Sequence, residues 1–188
     1  MRIRSLILST ALVTGSYALA APITFTTTLN GANENPPINT TGTGFATISL
    51  DTAAHILTVD VTFSGLTTPA IAAHIHCCVQ APGNAGVATQ VPSFVGFPNA
   101  TSGTYSHTFD TSLLSTYNPA FVTANGGTSA SAEAVFVAGL LGGQEYLNIH
   151  TTENPGGEIR GFLIPEPSTW FLAGLALVGI GLVRRRTR

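Results

Sequence analysis

Lysine is absent from the 188 residues, and Asp, Glu and Arg together make up only 9%. The seven arginines sit mostly at the two ends: Arg2 and Arg4 open the chain, Arg184, Arg185, Arg186 and Arg188 close it, and Arg160 alone lies between. Residues 22–163 hold eight acids against that one arginine, a formal charge of −7. A domain of this kind has no basic stripe for phosphate backbones, which excludes nucleic acid as a partner. Cysteine is scarce too. The only two, Cys77 and Cys78, are neighbours, so they cannot staple distant parts of the chain. The chain also lacks a Gly-rich nucleotide fingerprint, a nucleophile elbow and an HExxH helix, the common short signatures of catalysis.

What is present at the ends is addressing information. Arg2 and Arg4 precede the apolar run LILSTALV, and Ala18-Leu19-Ala20 supplies small residues before a cut between Ala20 and Ala21. Residues 1–20 therefore read as a signal peptide handled by the export machinery. At the other end Pro165-Glu166-Pro167 precedes WFLAGLALVGIGLV and then RRRTR. Those fourteen apolar residues would make about 21 Å of helix. That is short for a ~30 Å hydrocarbon layer, though tilt and flanking residues can adapt it. The arginine cluster would remain cytoplasmic, with the rest of the chain outside. The order of Pro-Glu-Pro, a Gly-rich apolar helix and terminal arginines resembles the PEP-CTERM sorting signal. The resemblance implies processing by an exosortase near the motif. It also implies delivery to the cell envelope or extracellular matrix after transient membrane anchoring through the helix.

The middle, residues 21–164, reads as one domain built of strands. Leu57, Val59, Val61 and Phe63 alternate with Thr58, Asp60 and Thr62, the period of a half-buried strand. Ala46, Ile48 and Leu50 alternate likewise, and the short link at residues 52–54 predicts an antiparallel hairpin. Further strands are expected at residues 23–29, 71–76, 104–109, 146–151 and 158–164, the last two joined by Asn154-Pro155-Gly156-Gly157. A single helical turn is expected at residues 112–117, capped by Asp110. The alanine-rich residues 129–141, stopped by Gly142-Gly143, predict one short crossover helix. Residues 79–102 read as a long loop laying Phe94 and Phe97 over one end. The pattern as a whole predicts an all-β fold. It takes the form of an antiparallel Greek-key β-sandwich, immunoglobulin-like or superoxide-dismutase-like, with a C-terminal transmembrane helix appended.

Three blocks, LNGANENPP at residues 29–37, AAHIH at 72–76 and EYLNIHTTENPGGEIRGFL at 145–163, resemble the CHRD domain and come in the same order. The resemblance spans about residues 23–163 and implies a secreted β-rich module. No enzymatic activity is established for that family, and a catalytic role is not expected here.

Within these blocks some residues can carry chemistry. His74 and His76 are two apart on a strand, so both leave the same face ~7 Å apart along the chain. His150 lies on a separate strand, on the face of Asn148. Were the two strands adjacent, three imidazoles with an open position would suit copper or zinc. The alternative is that these histidines only hydrogen-bond within the domain. Cys77 and Cys78 follow His76. Successive strand residues point to opposite faces, so a vicinal disulfide at the strand end is preferred over a shared metal site, an interchain bridge or free thiols. Glu158 and Arg160 share a face of the last strand and are expected to pair, with Glu34 as a second candidate partner. Two functional readings stand: an exported, non-enzymatic matrix or adhesion module, and a copper- or zinc-binding envelope protein using His74, His76 and His150.

Overall fold

The computed structural model describes residues 21–166. The expected signal peptide at residues 1–20, Pro167 of the sorting motif and the expected transmembrane helix lie outside the described residues. Among the described residues no helix is long and apolar enough to cross a membrane. The strands are β1 (Ile23–Asn30), β2 (Thr43–Asp51), β3 (Ile56–Ser64), β4 (Ala70–Cys77), β5 (Gly86–Val87), β6 (Gly103–Asp110), β7 (Glu145–Thr151), β8 (Ile159–Phe162) and β9 (Ile164–Pro165). Helices α1 (Pro119–Ala124) and α2 (Ser129–Leu141) lie between β6 and β7.

The expected hairpin forms with Ile48 opposite Val59 and Leu50 opposite Leu57. Its inward residues are the alternating apolar set, all buried. Asp51 closes the turn by accepting hydrogen bonds from the backbone of Ala53 and Ala54. All pairings between strands are antiparallel. The sheet organisation differs from two stacked sheets. A single curled path runs β5-β4-β7-β8-β1-β2-β3-β6, with β9 added to β1. The join is β1, which pairs along its length with β2 and also meets β8 at Asn30–Arg160 and β9 at Phe25–Pro165. Pro165 of the expected sorting motif is therefore the last strand residue.

The crossover contains two helices rather than one. Helix α1 starts with Asn118 accepting from the Ala120 amide. Helix α2 has the expected bounds and a capping box between Thr128 and Ser131. Its buried stripe is Ala132, Phe136, Gly139 and Leu140, the spacing of one helical face. Near residue 112 the turn is 3-10 and covers only Leu114–Thr116, and Leu113 stands at its N-cap. Asp110 instead accepts from the Ser112 amide and hydroxyl.

Residues 79–102 do more than lie over an end. Phe94 is buried against Tyr105 and Phe109, at ring separations of 5.8 and 5.5 Å. The segment also runs along the free edge of β4. Ala88 donates to the Ile75 carbonyl, the Thr89 hydroxyl accepts from the Ile75 amide, and Phe94 donates to the Ala73 carbonyl. An irregular segment thereby covers an edge that would otherwise be open to pairing. Strand β7 is consequently buried at every residue. Leu147 and Ile149 face the core, while Tyr146, Asn148 and His150 face the loops.

Candidate metal centre

Strands β4 and β7 are neighbours, with Ala72 opposite His150 and His74 opposite Asn148. The alternation that sends Ala73 and Ile75 into the core sends His74 and His76 to the other face, where His150 meets them. Ring centroids are 5.9 Å apart for His74–His76, 5.2 Å for His74–His150 and 5.7 Å for His76–His150. One nitrogen of each ring lies within 4.8 Å of the other two. All three residues are buried, at 6–8% exposure.

The second nitrogen of each ring is engaged. His74 Nε2 donates to the Pro92 carbonyl at 2.7 Å, His76 Nδ1 to Ala85 at 2.9 Å, and His150 Nδ1 to Pro155 at 3.0 Å. A carbonyl only accepts, so each of these nitrogens carries the hydrogen. In the neutral ring the other nitrogen is then a bare lone pair. Those atoms, His74 Nδ1, His76 Nε2 and His150 Nε2, are buried and have no hydrogen-bond partner. Burial holds His74 below the ordinary imidazole range and lowers His76 and His150 to about 4. The rings are therefore neutral near pH 7. Three converging lone pairs with no donor between them are unfavourable for a protein alone. They match a metal-ligating imidazole set whose outer nitrogens are fixed by backbone carbonyls.

The surroundings lock this geometry. The His76 ring stacks on Tyr146 at 4.7 Å, and the Arg160 guanidinium lies 4.6 Å from the same Tyr146 ring. The Tyr146 hydroxyl both accepts from and donates to the backbone of Ala85, the residue that fixes His76. Gly157, at φ +130°, sits so close to the Asn148 side chain that a Cβ would also lie 2.8 Å from Glu34 Oε1. Only glycine allows the turn carrying Pro155 to close there.

The expected Glu158–Arg160 pair is not formed. Glu158 precedes β8 and turns to Thr40, Thr67 and Thr151, which donate hydroxyl hydrogen bonds of 2.6–2.7 Å, with a further bond from the Thr67 amide. Burial pushes this carboxyl up, but the threonine donors outweigh it and its pKa is lowered. Arg160 instead lies 3.7 Å from Glu34. It also donates to Asn33, Asn84 and Pro82 at 2.5, 2.6 and 2.8 Å. Burial raises Glu34 to about 7 despite Arg160 and the Asn148 amide. Cys77 and Cys78 are joined as a vicinal disulfide, on the opposite side of β4 from the histidines.

A CHRD-domain family model matches residues 25–163. The chain belongs to the CHRD-domain family. A PEP-CTERM protein-sorting motif matches residues 163–186. That motif marks a protein exported and sorted to the cell surface, and it implies processing by an exosortase, a membrane-linked sorting enzyme. No curated protein and no solved structure matches the chain. Sequence patterns put His74 and His76 of this CHRD domain on one strand face and named His150 as a third candidate, but the pairing of β4 with β7 is what brings the three together. Those patterns did not reveal the three carbonyls, because every residue has one and no side-chain pattern marks it.

Proposed function

We propose that this CHRD protein is a surface-delivered metal-binding module whose His74, His76 and His150 hold one copper or zinc ion. The observation that carries this reading is the set of three buried, unpartnered imidazole nitrogens facing one another. Copper(II) binds such a site more tightly than zinc by the ordinary order of divalent affinities. The near-complete burial of the rings favours holding an ion over turning over a substrate at it. The matrix or adhesion reading lacks a comparable observation at any surface.

Protein purified without an affinity tag, loaded with copper(II) at neutral pH and freed of excess, is expected to retain about one equivalent by elemental analysis. Markedly less than stoichiometric metal would reject the reading. His150→Ala should weaken binding by more than the ~10–100-fold typical of losing an outer-shell partner. Bound metal at 100 times its Kd should add about 2.7 kcal/mol of stability, read as a higher Tm.

In this reading export begins with cleavage after Ala20, the domain comprises residues 21–164, and the tail from 165 to 188 anchors it until an exosortase acts. Truncation after Glu166 keeps β9 and its hydrogen bond from Glu166 to Thr24, so the domain should fold. Cell fractionation should then find the truncated protein missing from the envelope. Unchanged surface delivery would refute the sorting role.

A further inference from the structure

A second cluster lies on the core side of the same two strands. Cys77 ends β4, Cys78 follows it, and Glu145 opens β7 directly opposite Cys77. The two sulfurs and a Glu145 oxygen lie within 4.8 Å of one another. Glu145 is fully buried and neither of its oxygens has a hydrogen-bond partner. An uncompensated carboxyl of this kind is costly to keep, and it points at the sulfurs. Helix α2 roofs the group with Gly139. A Cβ there would lie 2.6 Å from Glu145 Oε1, 2.8 Å from Cys77 Sγ and 3.1 Å from Cys78 Sγ. Glycine is thus what lets the helix seat over all three atoms. A cavity of about 390 Å³ between β5 and the helices reaches both cysteines, with Val87, Phe121 and Val135 in its wall. Cys78 is exposed to it.

We propose that Cys77, Cys78 and Glu145 form a redox-gated site for a thiophilic divalent cation such as zinc. The oxidised pair offers no thiolate. A small dithiol entering the cavity reduces it: the Cys77–Cys78 bond breaks, each sulfur gains an electron and a proton, and the reductant leaves as its own cyclic disulfide. A divalent ion then displaces the two thiol protons and the Glu145 proton, and is held by two thiolates and one carboxylate. These are soft sulfur ligands with one hard oxygen, a zinc-type set. The buried carboxyl gains the counter-charge it lacks in the oxidised protein. This site shares no ligand with the three-histidine centre and stands or falls separately from it.

Cadmium tests it, because cadmium–thiolate bonds give an ultraviolet charge-transfer band and cadmium–imidazole bonds do not. The full protein, reduced anaerobically with a water-soluble phosphine until two thiols titrate, should develop the band with the amplitude of two thiolates, and in His150→Ala the band should saturate at about one cadmium. The oxidised protein should show none. Cys78→Ser should lower the band to about half or less and weaken the site, Glu145→Gln should weaken cadmium binding at the thiolates by at least about 10-fold, and His150→Ala should leave the band's amplitude unchanged. Gly139→Ala should also weaken the site, by crowding it. Failure of the disulfide to reduce in the folded protein, absence of the band at two titrated thiols, or an unaltered affinity in Glu145→Gln would each overturn the proposal. Dependence of the band on His150 would overturn the claim of a separate site.

Discussion

Arg160→Met should destabilise the domain by about 3–5 kcal/mol, the range for removing one partner from a buried charge network. Arg160 is 1% exposed and among the largest fully buried side chains of the described residues. Its three nitrogens donate to three different residues on two separate segments, Asn33 on one side and Pro82 and Asn84 on the other. Its face covers Tyr146. Methionine can replace the volume, but it leaves two carbonyls and an amide oxygen without their donor and the Glu34 carboxyl without its counter-charge. Lysine would not rescue, because a single ammonium on a flexible stem cannot serve three divergent acceptors and stack at once. The loss should reach the metal centre as well. Arg160 ties down the segment that carries Ala85, whose carbonyl orients His76. Copper affinity in the variant should therefore fall by ~10–100-fold, as for other outer-shell losses. Denaturant unfolding and a chelator competition check the two effects. A stability loss below about 1 kcal/mol would place Arg160 among ordinary surface charges.

Glu145→Gln should be more stable than the native protein at pH 7, and the difference should vanish near pH 4. Burial raises the Glu145 carboxyl well above its ordinary 4.5. The folded protein therefore keeps the proton where the unfolded chain has released it. Stability from this group is fully present below the unfolded value and is lost as pH rises toward the folded one. The titratable neighbours are the disulfide-bonded cysteines, which do not ionise, and Tyr117, whose phenol is pushed well above its ordinary value by burial. No charged partner rescues the carboxylate among the described residues. Glutamine has nearly the same shape and also lacks a partner, but it never ionises. The native–variant difference should thus open from pH 4.5 upward and grow as pH rises toward 7. Unfolding curves at several pH values measure it. A difference independent of pH would show that Glu145 is ionised or solvated in the fold. Stability lost to a group that the oxidised fold does not use is the pattern expected of a residue kept for function.

The hairpin of β2 and β3 was fully legible in the sequence, because its two strands alternate and adjoin. Helix α2 was legible for the same local reasons, a regular stripe and a glycine stop. Helix α1 was missed, since six residues carry too little periodicity to stand out. Glu158 and Arg160 are two apart in the chain but do not pair, because proximity in sequence does not fix the direction of the two side chains in space. Glu158 sits just before its strand, and the threonines that hold it come from three other segments.

The two ends, the acidic lysine-free middle and the shared face of His74 and His76 follow from the sequence by itself. Charge, apolar length and period-two alternation are local properties that any reader of the chain can count. Whether the histidines converge was decided by the tertiary structure alone. It set β4 beside β7, wrapped residues 79–102 along the β4 edge, and pointed three anonymous backbone carbonyls at three ring nitrogens. Backbone acceptors have no residue-type signature, and strand neighbours distant in sequence are chosen by packing. The converging lone pairs on this face are therefore a property of the fold.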